Sequence, residues 1–119
     1  MNKKILSILV TASLCLAHPV MAHHSAAQFN FQKSADIQGI VKEIRVANPH
    51  MQLVLEVTDA KGTRDISYEG HSRNNLYRRG WRPGMIKVGE KITITIATRK
   101  DGADGGYVVG VKTADGHQF

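Results

Sequence analysis

Lys91-Ile92-Thr93-Ile94-Thr95-Ile96-Ala97-Thr98 sets isoleucine against threonine or lysine at alternate positions. A period of two is that of a β-strand with one buried and one solvated face. Met51 to Thr58 repeats it, with Met51, Leu53, Leu55 and Val57 set against Gln52, Val54, Glu56 and Thr58. Asp59-Ala60-Lys61-Gly62 then reads as a hairpin turn. Thr63 to Glu69 returns as a third strand, with Ile66 and Tyr68 on one face.

Working outward, Ile37 to Val46 is β-branched but only partly alternating. Gly39 within it predicts a bend or bulge. Asn48-Pro49 interrupts the run, because proline lacks a ladder donor. After the third strand the period changes. Ser72 to Gly80 reads as a short helix with Ser72 as N-cap, Gly80 as the C′ residue and Arg78 and Arg79 in the last turn. Trp81 follows, then a turn at Arg82-Pro83-Gly84, a glycine-rich loop at 101–106 and a last strand from Tyr107 to Thr113. Three strands, a helix and two strands predict a mostly β fold: a small, OB-like, five-stranded Greek-key barrel with one short helix between strands 3 and 4. Closure would bury Ile92, Ile94 and Ile96 against Leu53, Leu55 and Val57. The second choice is another small β-barrel or sandwich plugged by the helix.

Residues 1–22 have another character. Lys3 and Lys4 precede an apolar run from Ile5 to Ala17, and Val20-Met21-Ala22 offers a cleavage site. This is the layout of a secretory signal peptide, too short for a membrane span, and it predicts a periplasmic protein. Residues 23–35 read as an extended arm whose Phe29 and Phe31 dock on the body, and 36–119 as the barrel domain. Cleavage would leave 97 of the 119 residues, enough for one core. It would remove Lys3 and Lys4 from the 16 basic residues and none of the 10 acidic ones, for a formal charge of +4. Mild basicity favours small anionic ligands. The single cysteine, Cys15, lies in the leader, so no disulfide is expected in the mature chain. No second apolar stretch is long enough to span a bilayer.

Three constellations carry chemistry. Cleavage after Ala22 would make His23-His24 the mature terminus, where an amine and a ring Nδ1 chelate a nitrogen-loving metal such as copper(II). A third nitrogen would come from His50 or His71. The plain structural alternative is a solvated tail. Asn48-Pro49-His50 lies between the first two strands, where a rigid turn would present the imidazole and Asn48 would orient the loop. Around the helix, His71, Arg78, Trp81 and Arg82 would flank an anionic ligand by forked hydrogen bonds and stacking. There the core reading of the lone tryptophan weighs more. Glu69 and His71 are not taken as a dyad, and the chain carries no GxSxG, P-loop or GxGxxG signature. Export and sparse aromatics argue against nucleic acid.

Taken together, Ala22-His23-His24-Ser25, Gly39-Ile40-Val41, Asn48-Pro49-His50, Asn74-Asn75-Leu76, Gly80-Trp81 and Asp101-Gly102 form a pattern. It resembles a domain-of-unknown-function family of small exported proteins from Gram-negative bacteria. The resemblance covers nearly the whole mature chain and implies export and a small β-barrel, with no activity attached. The loose glycine-rich loop at 101–106 departs from it. The expected function is a non-enzymatic periplasmic binding or accessory protein, with His23, His24 and His50 as ligands to copper. The alternative is a structural or protein-interaction module of the cell envelope, recognising its partner by strand addition to exposed barrel edges. A histidine-dependent metalloenzyme ranks last.

Overall fold

A computed structural model describes residues 26–119. The chain runs β1 (Phe29–Arg45), β2 (Gln52–Asp59), β3 (Gly62–Gly70), α1 (Arg73–Arg78), β4 (Lys91–Arg99) and β5 (Gly106–Lys112). The strands close into a barrel in the order β1-β2-β3-β5-β4. All neighbouring pairs are antiparallel except β3 with β5, which run parallel and meet only at Glu69↔Tyr107 and Gly70↔Val108. That is the OB-like arrangement the element order predicts, with the helix between the third and fourth strands.

Alternation decides the core. Leu53, Leu55 and Val57 of β2 and Ile92, Ile94 and Ile96 of β4 are all buried in one cluster, joined by Val41, Met51, Ile66, Tyr68, Val108 and Val111. Leu76 of α1, with Trp81 and Ile86 after it, belongs to the same cluster. The helix is held at both ends. Ser72 accepts the Asn75 N–H at its start. At its end the Trp81 N–H reaches the Leu76 carbonyl, and Gly80 N–H the Tyr77 carbonyl, while Gly80 takes φ +103°. This is a Schellman ending, and its apolar contact unites Leu76 with Trp81.

Two features of β1 differ from expectation. The strand begins at Phe29 rather than Asp36, so 29–35, read as arm, already pairs with β4 through Phe29↔Arg99 and Ser34↔Ala97. Residues 31–33 are looped out between those contacts, which hides the strand period in the sequence. The second bulge falls between Val41 and Glu43, not at Gly39. Gly39 instead permits close approach: a Cβ there would stand 2.8 Å from the Glu56 carbonyl oxygen and 2.9 Å from the Leu55 Cβ. At this point β1 pairs with β4 and turns over to β2.

Outside the barrel lies a second, smaller core. Phe29, Ala97 and Tyr107 are buried together with Val109 packed against them. Ala97 occupies a position that the isoleucine–threonine alternation marks as outward, and the returning N-terminal stretch covers it.

Candidate functional site

The β1–β2 loop is fixed before it reaches His50. The Arg73 N–H donates to the Ala47 carbonyl at 3.0 Å, and the Arg73 guanidinium donates twice to the Val46 carbonyl. Asn48 and Asn74 exchange two longer contacts of 3.5 and 3.4 Å. The start of α1 thus holds the loop. Beyond it, Met51 N–H donates to the His71 carbonyl and Gly70 N–H to the Met51 carbonyl, both at 3.0 Å. These bonds seat His50 at the end of β3.

His50 Nδ1 lies 3.1 Å from the Gly70 carbonyl oxygen. A carbonyl only accepts, so Nδ1 carries a proton, and when the ring is neutral Nε2 holds the electron pair. That Nε2 is buried and has no hydrogen-bond partner among the described residues. A buried polar atom left unpaired costs about 1–3 kcal/mol and needs a reason.

His71 is the opposite case. Arg79 Nη1 stands 3.2 Å from its Nε2, and the Tyr107 hydroxyl 3.4 Å from its Nδ1. A guanidinium only donates, so His71 Nε2 accepts and Nδ1–H points to the Tyr107 oxygen. Burial, then the Arg79 charge, then His50, hold its pKa below the usual histidine value. Arg79 also donates to the Val109 carbonyl at 2.7 Å, tying the end of α1 to β5.

Tyr107 joins the parts. Its ring meets His50 edge-on with centroids 6.1 Å apart, His71 at 5.3 Å, Phe31 at 5.3 Å and Phe29 at 5.7 Å. Burial and the Glu69 charge raise its hydroxyl pKa. Glu69 is its partner in the parallel ladder. The result is an imidazole and aromatic cluster on the barrel exterior, along the β3–β5 seam. Beside it a groove of about 400 Å³ is lined by Gln28, Phe29, Glu43, Gln52, Ser67 and Glu69, among others.

His23 and His24 lie outside the described residues. They precede Phe29 by six and five positions. Among the described residues, no group of three His, Cys, Asp or Glu side chains is placed to hold a metal.

The arginines distribute otherwise than the sequence suggests. The Trp81 ring is buried in the core, its Nε1 without a partner among the described residues. Arg82 is exposed and donates to the Tyr77 and Trp81 carbonyls at 2.9 and 2.7 Å, with its guanidinium 5.2 Å above the Tyr77 ring. Arg78 is exposed. Tyr107, read from sequence as the start of a strand, is the residue whose ring meets both His50 and His71, and Arg79, read as a helix-end charge among the arginines near Trp81, reaches His71. The one sequence signal for Tyr107 was the OB-like order itself, which sets the fifth strand beside the end of the third.

The chain belongs to a family of unknown function, DUF6152, whose sequence model matches residues 12–108. That span contains His23, His24, His50, His71, Arg79 and Tyr107. No curated protein matches the chain.

Proposed function

We propose that this member of a family of unknown function is a non-enzymatic accessory protein of the periplasm that binds a metal ion, copper(II), between the mature terminus His23-His24 and His50. The observation that supports the reading is the buried Nε2 of His50, which has no partner among the described residues. Metal-ligating histidines characteristically donate their other ring N–H to a carbonyl or carboxylate, which fixes tautomer and orientation. His50 has that support from Gly70. Nitrogen donors suit copper(II), and the terminal amine with the His23 ring supplies two more. Phe29 and Phe31 pack on Tyr107, whose ring also meets His50.

The interaction-module reading has less support. In a closed barrel, strand addition is limited to short unpaired stretches, such as β3 beyond its two-residue contact with β5. There Arg64 grips Asp104 at 2.6 Å and draws the β4–β5 loop across the opening. The described helices include none long and apolar enough to cross a membrane.

The test is a copper(II) titration, followed by EPR, of protein beginning at His23, with the same chain extended by one residue as control. Tight binding with several nitrogen ligands, lost on extension and weakened by His50→Ala, is the expected result. Equal, weak binding by all three would reduce the histidines to a solvated tail.

A further inference from the structure

Arginines at the two ends of the barrel are treated differently. At the end away from α1, Arg64 is paired with Asp59 and Asp104, and Arg99 with Asp101. At the α1 end, Arg73, Arg78, Arg79 and Arg82 are exposed, and among the described residues none of them is in an ion pair. Three of the four are nonetheless held. Arg73 donates to the Val46 carbonyl, Arg79 to the Val109 carbonyl, and Arg82 to the Tyr77 and Trp81 carbonyls. A carbonyl orients a guanidinium without cancelling its charge. The stretch from His71 to Gly89 contains no Asp or Glu. Its one lysine, Lys87, is set aside, because the Glu90 carboxylate accepts the Lys87 N–H. The same stretch also shows apolar surface. Leu76, Trp81 and Ile86 belong to the core and plug the barrel end, while Tyr77 is 38 % and Val88 66 % exposed.

We propose that the outer side of this plug docks on an anionic phospholipid surface, with the arginines meeting headgroup phosphates and Tyr77 and Val88 entering the headgroup layer. Charge complementarity sets the sign of the partner, and the guanidinium fork matches phosphate oxygens. The exposed ring and valine beside the arginines separate a lipid surface from free phosphate or a soluble polyanion, which has nothing apolar to cover them. Arginines already oriented by carbonyls lose less side-chain freedom on docking. The contact is peripheral, since the described helices include none that could span a membrane. It needs no metal and stands independently of the copper reading above.

Co-sedimentation of metal-free protein beginning at His23 tests this, with vesicles of phosphatidylcholine alone or with about one-third phosphatidylglycerol. Binding to the anionic vesicles only, lost at high salt as screening shortens the reach of the charges, is the expected result. Arg78→Gln and Arg82→Gln should each weaken it about fivefold, the scale of one cation near an anionic surface. Val88→Ser should weaken it about threefold through lost apolar contact. Lys100→Gln removes one exposed charge at the far end and should leave binding unchanged. Thermal melts check folding, and Arg82→Lys, expected to retain binding, replaces Arg82→Gln if that variant does not fold. Binding alike to both vesicles or to neither, or an equal loss in Lys100→Gln, overturns the proposal. Loss in the arginine variants with none in Val88→Ser assigns the plug to soluble polyanions and overturns the lipid surface.

Discussion

His50 donates its Nδ1–H to the Gly70 carbonyl at 3.1 Å, and this one bond decides what its other nitrogen can do. In the neutral ring it presents Nε2 as an electron pair in a buried place with no donor among the described residues. In ¹⁵N-edited NMR of apo protein near neutral pH, His50 and His71 are both expected as Nδ1–H tautomers. An Nε2–H tautomer at His50 would remove the basis for coordination there.

Tyr107 is the common wall of the site. Truncation to alanine removes a buried ring that touches Phe29, Phe31, His50 and His71. The expected loss is about 3 kcal/mol in urea unfolding, as for other large-to-small changes at buried aromatics. Tyr107→Phe keeps the ring and gives up only the long hydroxyl contact to His71, so it should cost under about 1 kcal/mol. Equal losses for the two would mean that the hydroxyl, not the ring, holds the seam.

Gly39→Ala tests the crossing of β1 between its two partners. The added methyl meets backbone at 2.8 Å, which cannot give way as a flexible side chain would. A destabilisation of about 1–3 kcal/mol is expected, in the range of overpacked cores. Wild-type stability would show that the bulge at Val41 absorbs the strain.

The loop opposite the helix is held by charge. Arg64 bonds both Asp59 and Asp104, and its contact to Asp59, with the Lys61 N–H, brings the Asp59 pKa down to about 2. The Asp104 pKa is lowered mainly by the same arginine. A folded-state carboxylate pKa below its unfolded value stabilises above the unfolded value and loses that contribution as pH falls through the folded one. Melting temperature should therefore drop as pH falls from about 4 toward 2, and drop less in Arg64→Met. Both carboxylates are exposed, so the effect is modest and shrinks with salt.

The barrel was legible because β2, β3 and β4 keep a clean period of two, and because Ser72 and Gly80 mark the helix ends. The start of β1 was not, since the loop-out at 31–33 breaks the period that identifies a strand. His50 stood out from its place after Asn48-Pro49. What completes the cluster did not, because it depends on a parallel pairing of two residues between segments distant in sequence. Arg79 looks like any cation at a helix end, and only the fold shows its donors turned to His71 and Val109.

The most direct test is a double-mutant cycle on copper(II) affinity. Its four proteins begin at His23 or carry one residue before it, each with His50 or with His50→Ala. If amine and imidazole hold one ion, each change alone weakens binding sharply, and the second adds little once the first is made. Losses that simply add, or a His50→Ala protein that binds like wild type, would contradict a site shared between the terminus and His50.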